Sequence, residues 1–149
     1  MTGITNRGKR RLLEWPFNAL ALPVNFYAAL FTAATAPTAT TSTRAALTEI
    51  AAGNGYTAGG IALSKNTTDF PGITQDDTNN KGKVLVRNLT WTAAGGDLPI
   101  NDVGARYMCL CTGTAGTDDI FAFWDLGAAR VVTVTQALQV YAAELDLTE

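Results

Sequence analysis

The sequence of 149 residues contains no histidine, only two cysteines and few charged side chains, which make up 16% of the chain. Without histidine, the chain lacks the commonest general base and the usual partner of a nucleophilic serine or cysteine. It also lacks the glycine-rich motifs that bind phosphates and dinucleotides. We therefore expect a protein that is not an enzyme and that has no catalytic residues, no cofactor and no bound metal.

The two cysteines, Cys109 and Cys111, are separated by one residue within an apolar run. Two strand residues at this spacing point the same way with about 6–7 Å between them, which is unfavourable for a disulfide. A pair of cysteines without histidine is also a poor zinc site. We expect both cysteines to be reduced thiols packed in the interior.

Acidic pairs offer weak alternatives for a catalytic or calcium site. Asp76–Asp77 and Asp118–Asp119 lie in polar loops rich in threonine and glycine, and Asp125 ends an apolar run. A glycosidase needs two carboxylates on either side of a cleft, and a calcium loop needs a closing glutamate that the segment after Gln75 lacks. We interpret these carboxylates as turn formers that accept backbone hydrogen bonds.

No segment of the sequence is long and apolar enough to suggest contact with a membrane interior. The longest apolar stretch, residues 19–31, is interrupted by Pro23 and Asn25 and is too short to cross a bilayer. Apolar residues nevertheless make up 47% of the chain, which argues against disorder. We expect one folded protein without a membrane partner.

Threonine supplies most of the missing polarity, with 22 residues against two serines. It is β-branched and suits the half-exposed face of a sheet, and 14 glycines provide turns. Short apolar or alternating runs predict seven to eight strands that do not alternate with helices. The runs cover residues 24–32, 57–65, 83–92, 105–111, 120–126, 130–135 and 137–148. The pattern predicts an all-β fold, with a β-sandwich or jelly-roll-like body and a short N-terminal helix or arm.

Residues 1–23 are predicted to form a basic N-terminal arm or short helix, and residues 24–149 a single β-sandwich domain. The helix would cover residues 4–15 and be disturbed by Pro16. Residues 33–46 are small, rich in threonine and low in complexity. We expect them to form a long loop or an exposed arm.

Two further segments carry less regular signals. Residues 44–52 predict a second short helix that ends at Gly53. Residues 64–82 show no clear periodicity and predict a long loop of the kind that often binds partners. Within this loop, Phe70 and Ile73 are candidates to pin it to the body.

Positive charge is concentrated at the start of the chain. Residues 1–11 carry four basic and no acidic side chains, whereas the remaining residues carry seven basic and thirteen acidic ones. This asymmetry favours docking against an acidic surface, although a solvated helical turn would give the same pattern. Four charges without interleaved aromatics are too few for a nucleic-acid-binding module, so no direct contact with nucleic acid is expected.

Several strand patterns resemble those of a family of small structural proteins of tailed bacteriophages. In the second half these are LTWTAAGGDL (89–98), ARYMCLC (105–111) and IFAFWDLG (120–127), followed by two closing strands. In the first half, FYAALFT (26–32) resembles the strand that follows the short helix in those proteins, and GNGYTAGGIAL (53–63) their glycine-rich turn. The Thr-rich arm, the basic start and the long loop depart from the family pattern.

The resemblance implies a virion structural protein made in the host cytoplasm, and favours a capsid decoration, or cement, protein. Its partners would be the major capsid protein, neighbouring copies of itself and other virion proteins. We expect segments Arg7–Trp15 and Ala33–Ala46 to make the contacts. The predicted partner-binding residues are Arg7, Lys9, Arg10, Arg11, Leu12, Trp15, Thr40 and Arg44.

Two alternatives remain open from the sequence. One is a tail-fibre or baseplate component that contacts the host and forms a trimer. The other is a carbohydrate-binding sandwich module, which would expose a pair of tryptophans in a groove. Trp91 and Trp124 lie in apolar runs, where core packing is the usual role, and this weighs against the second alternative.

Overall fold

The computed structural model describes residues 2–101 and 103–148, and the chain is all-β with one short α-helix. Strands account for 43% of the chain and helices for 10%, which confirms the predicted fold class. In chain order the elements are β1 (Thr2–Ile4), α1 (Asn6–Phe17), β2 (Asn25–Phe31), a 3-10 turn (Arg44–Ala46), β3 (Ile61–Ser64), β4 (Gly72–Asp76), β5 (Lys81–Val86), β6 (Leu89–Thr92), β7 (Ala105–Cys111), β8 (Ile120–Arg130), β9 (Ala137–Val140) and β10 (Ala143–Thr148).

The strands form three antiparallel sheets. A five-stranded sheet has the order β1-β8-β7-β2-β3, a three-stranded sheet has the order β10-β5-β4, and β6 pairs with β9. The two smaller sheets contribute side chains to the same core as one face of the five-stranded sheet. This layered packing gives each sheet a buried face, which an isolated sheet would expose to water.

The five-stranded sheet has an apolar core on each face. In β7, Met108 and Leu110 point into the main core, whereas Cys109 and Cys111 point into a second, smaller core. This alternation is that of the strand predicted over residues 105–111. The main core also holds Leu30, Ala122 and Trp124 from the large sheet and Val86, Leu89, Trp91, Leu138 and Leu145 from the smaller ones.

Helix α1 begins two residues later than predicted, because the chain start forms β1 on the edge of the large sheet. Thr5 caps the helix, since its hydroxyl accepts the Gly8 N–H at 2.9 Å and donates to the Ile120 carbonyl at 2.5 Å. A Cβ on Gly8 would lie 2.2 Å from the Phe121 carbonyl oxygen, so only glycine allows the helix to approach β8 this closely. Pro16 does not end the helix, which continues to Phe17.

Several strand and helix predictions were wrong in their extent. Residues 83–92 form two strands in different sheets, because the Arg87 N–H leaves the ladder and donates to the Asp69 carbonyl at 2.9 Å. Residues 130–135 hold only the end of β8 and one bridge, between Val132 and Leu98. The predicted helix over 44–52 is reduced to the 3-10 turn, beyond which the chain is irregular.

The predicted run over residues 137–148 is interrupted by Ala142, which takes a positive φ of 48° between β9 and β10. The predicted loop over 64–82 contains β4 and is therefore partly regular. Phe70 does pack against the main core. Ile73 does not pin the loop, because its side chain is 81% exposed.

Candidate functional site

The structure brings the two predicted contact segments together at one end of the body. The Asn6 N–H at the start of α1 donates to the Ala39 carbonyl at 2.7 Å, and the Ile120 N–H of β8 donates to the Ser42 carbonyl at 3.0 Å. Residues 33–43 are therefore an ordered loop fixed to α1 and β8. We call five of the exposed residues of the helix and loop the contact surface; they are Lys9, Arg10, Leu13, Thr38 and Thr40.

Asp119 joins the helix to the body. This buried carboxylate lies 3.0 Å from Arg7 Nε and 2.6 Å from Arg11 Nε. The hydrogen bond to Asp119 is the main cause of a raised pKa of Arg11. Arg7 and Arg11 thus neutralise the buried charge of Asp119. Their guanidinium groups are therefore not both free to bind a partner.

Of the remaining basic side chains on α1, Arg10 is paired and Lys9 is not. Arg10 Nε lies 2.5 Å from Glu14 Oε1, and Arg11 Nη1 lies 2.8 Å from Glu14 Oε2. Burial opposes ionisation of Glu14, but the hydrogen bonds from the two arginines outweigh it, and the pKa of Glu14 is lowered. Within the described part of the chain, no carboxylate forms an ion pair with Lys9, so this charge is free to meet an acidic partner.

Arg44 is buried and holds the end of the loop against the second core. It is 4% exposed, its Nη2 lies 2.5 Å from Glu49 Oε2, and its guanidinium carbon lies 5.5 Å from the centre of the Phe31 ring. The other Glu49 oxygen accepts a hydrogen bond from the Tyr56 hydroxyl at 2.6 Å. These contacts suit an anchor of the loop and leave Arg44 little surface for a partner, whereas Thr40 is exposed.

Leu12 and Trp15 face away from the contact surface and line an apolar groove. Trp15 stacks on Phe121 with 5.6 Å between ring centres and meets the edge of Phe26 at 5.9 Å. The groove has a volume of about 610 Å³ and lies between α1, the 65–74 segment, β5 and β10. Its lining is almost wholly apolar, and Lys65 and Lys83 are its charged residues.

Sequence reasoning missed an exposed apolar segment that follows α1. We call residues 17–24 the apolar segment; Phe17 is 80% exposed and Val24 84% exposed, and Leu20 and Leu22 are also exposed. The signal in the sequence is the absence of any charged side chain between Glu14 and Arg44. Several exposed apolar side chains within eight residues make the segment a candidate interface.

Further titratable groups among the described residues lie in the interior and in turns. Cys109 and Cys111 are free and buried, as predicted, and burial raises the pKa of Cys111 to about 12. The Asp118 and Asp76 carboxylates accept backbone hydrogen bonds from Ala115 and Asn79 in turns. Across residues 2–101 and 103–148, no group of three potential metal ligands comes together.

Trp91 and Trp124 are buried, as predicted, so neither belongs to an exposed pair of sugar-binding rings. In the described part of the chain, no helix has the length and apolarity needed to cross a bilayer. The contact surface, the groove and the apolar segment are three candidate surfaces for binding a partner.

Comparison of this chain with protein families, with curated proteins and with solved structures finds no match.

Proposed function

We propose that the chain is a non-enzymatic structural protein of a tailed-bacteriophage virion, where it decorates the capsid by bridging neighbouring major capsid subunits. One observation carries this proposal. Two segments separated by about twenty residues, which the sequence singles out as contact regions, are joined into one surface by the hydrogen bond from Asn6 to Ala39. A scaffold that fixes two such segments side by side is suited to bind a large, flat partner.

The composition of the contact surface indicates what it would bind. Lys9 and Arg10 provide positive charge, Thr38 and Thr40 provide hydroxyl groups, and Leu13 provides exposed apolar area. This mixture fits a partner surface that is polar and acidic, because opposite charges steer association and hydroxyls satisfy polar groups on contact. The neutral loop adds no repulsion against either sign of charge.

Many weak contacts on a lattice are enough for stable attachment. Each copy that touches two capsid subunits gains from a high effective concentration at the second contact. Burial of apolar area contributes roughly 25 cal/mol per Å² before the entropic costs of association are subtracted. A decoration protein therefore needs a rigid bridging surface more than a deep binding pocket.

Co-sedimentation of the purified protein with empty capsids of the encoding phage, and separately with its tails, tests the proposal. We expect saturable binding to capsids. Lys9→Glu should weaken this binding by about tenfold at low ionic strength, because the unpaired ammonium is replaced by a carboxylate, which an acidic partner surface repels. Arg130→Glu is the matched control, since Arg130 is exposed on the end of β8 and outside the contact surface.

The outcome separates the proposal from its alternative. Binding to tails alone would indicate a tail-fibre or baseplate component. Binding to neither particle would contradict a virion role for the contact surface. Equal losses in Lys9→Glu and Arg130→Glu would show that net charge matters and the contact surface does not.

A further inference from the structure

The groove beside α1 has the size and the apolar wall of a small-molecule site. Its volume of about 610 Å³ falls within the range of about 300–1,000 Å³ that is usual for such sites. The aromatic part of its lining consists of rings that pack against one another at centre distances of 5.5–6.0 Å; they are Trp15, Phe26, Phe70 and Phe121. These contacts hold the rings in place, so the apolar wall is formed before a ligand arrives.

A short polar stretch of the lining offers hydrogen-bond donors. Lys65, Asn66 and Thr67 are consecutive and all line the groove. The Asn66 side-chain oxygen accepts the N–H groups of Thr68 and Asp69, each at 2.9 Å, which leaves its NH2 group to donate elsewhere. The lysine ammonium and the threonine hydroxyl are donors as well. An acceptor group on a ligand would therefore find several donors along this stretch.

The charge of the lining is positive. Lys65 and Lys83 are its charged residues, and no carboxylate lines the groove. The Lys83 ammonium is already paired, because it lies 3.2 Å from Glu144 Oε1 and 3.8 Å from Asp76 Oδ2. Lys65 is exposed and forms no ion pair within residues 2–101 and 103–148. Its ammonium is thus an unpaired cation beside a large apolar surface.

We propose that the groove binds a small amphipathic carboxylate, whose apolar body lies against the rings while its carboxylate accepts hydrogen bonds from Lys65 and Asn66. Both halves of such a molecule have a counterpart in the groove. Burial of the apolar body removes hydrocarbon from water, and the ammonium gives charge complementarity that a neutral or cationic ligand would lack. The groove is separate from the contact surface, so this binding activity does not depend on attachment to a capsid.

The construction of the groove favours a small molecule over a flat protein surface. Its lining comes from α1, the 65–74 segment, β5, β8 and β10, which surround the apolar space from several directions. A small ligand inside the groove can bury most of its surface against these elements. A flat partner would contact only the outer side chains and leave the rings without a neighbour.

Isothermal titration calorimetry with decanoate at neutral pH tests the site. We expect one decanoate per chain, with a Kd of about 100 μM or lower. Octanoate should bind about tenfold more weakly, because it buries two fewer methylene groups. Decyltrimethylammonium carries the same chain length with the opposite charge, and it should bind at least about tenfold more weakly than decanoate.

Substitutions in the lining test the two halves of the ligand separately. Lys65→Gln should weaken decanoate binding about fivefold and should not weaken the binding of decyltrimethylammonium. Ile73→Asp places a carboxylate in the lining and should weaken decanoate binding at least about tenfold. Ile73 is 81% exposed, so this change removes no core packing. Arg130→Gln is the matched control, because it removes an exposed cation outside the groove and should change the Kd less than about twofold.

Tryptophan fluorescence locates the ligand. Trp15 lines the groove, whereas Trp91 and Trp124 are buried and do not line it. Decanoate should therefore change the emission of the wild type. Trp15→Phe keeps an aromatic ring, so it should still bind decanoate in calorimetry but lose the change in emission. Far-UV circular dichroism checks that each variant stays folded with decanoate present.

Four results would overturn the inference. They are no decanoate binding at about 1 mM, equal affinities for decanoate and decyltrimethylammonium, no greater loss in Lys65→Gln than in Arg130→Gln, and a change in emission that persists in Trp15→Phe. Binding of several decanoate molecules per chain would also contradict a single defined site. The titrations contain no capsids, so their outcome leaves the proposed virion role untouched.

Discussion

The two faces of the five-stranded sheet are covered by different means. On one face, α1 and the two smaller sheets pack apolar side chains against the main core. On the other face, Phe31, Cys109, Cys111 and Phe123 are covered by a chain that has little regular structure and contains Leu47. The comparison shows that an irregular segment can cover an apolar face if buried polar side chains fix it in place.

Arg44 is the anchor of that irregular segment, and its loss should have the largest effect. Arg44→Met keeps the apolar stem but leaves the Glu49 carboxylate half-buried without its cation. We expect the free energy of unfolding to fall by about 3 kcal/mol, at the low end for a broken buried pair because Glu49 is partly solvated. Urea unfolding measures the change. Arg130→Met should change it by less than about 0.5 kcal/mol.

A second substitution sharpens this prediction. Glu49→Gln in the Arg44→Met background removes the uncompensated charge and should recover part of the lost stability. If Arg44→Met left stability unchanged, the loop would not depend on its polar anchor, and the contrast between the two faces would disappear.

On the main-core face, Trp15 of α1 provides the corresponding test. Trp15→Ala removes the ring that stacks on Phe121 and meets Phe26. Because Trp15 is only half-buried, we expect a loss of about 2 kcal/mol, below the range for a fully buried aromatic. Thermal unfolding checks the value, and Trp15→Phe should retain most of the stability. A loss below about 0.5 kcal/mol would mean that α1 contributes little to this face.

Alkaline pH should act on the second core through its thiols. Burial raises the pKa of Cys111 to about 12, whereas an unfolded cysteine titrates near about 8.5. The folded state therefore favours the protonated thiol, so its contribution is complete below about pH 8.5 and is lost as the pH rises toward 12. Unfolding free energies measured between pH 7 and pH 10 should decline. Cys111→Ala should decline less, and equal slopes would contradict the assignment.

The smallest expected effect on stability is that of Lys9→Glu. Lys9 is exposed, and a glutamate near the start of α1 is favourable to the helix dipole. We expect the free energy of unfolding to stay within about 0.5 kcal/mol of the wild-type value by urea unfolding. A larger loss would mean that reduced capsid binding in this variant reports misfolding and not the loss of a contact.

The alternation of side chains along the sequence predicted the strands of the large sheet well. Successive residues of a strand point to opposite faces, and each face of this sheet has its own apolar core. Residues 105–111 divide between the two cores as the period of two requires. The same reasoning failed for residues 130–135, where Val132 and Val134 alternate but Thr135 takes a positive φ of 73° in a turn. The periodicity of apolar residues does not show where the chain changes direction.

The candidate site was predictable only in part. The sequence identified the basic helix and the Thr-rich loop, but the burial of Arg44 depends on Glu49 and Phe31, which only the folded chain brings around it. The sequence places Asp119 in a polar loop, whereas the folded chain makes it the buried partner of Arg7 and Arg11. Such pairs depend on three-dimensional proximity, which local patterns do not encode.

A cryo-EM reconstruction of phage capsids saturated with the protein tests the central claim most directly. The account predicts density for the protein on the outer shell, with Lys9 and Thr40 facing the junction between major capsid subunits. Density on the tail alone, or a bound orientation in which α1 and the 33–43 loop point away from the shell, would contradict it.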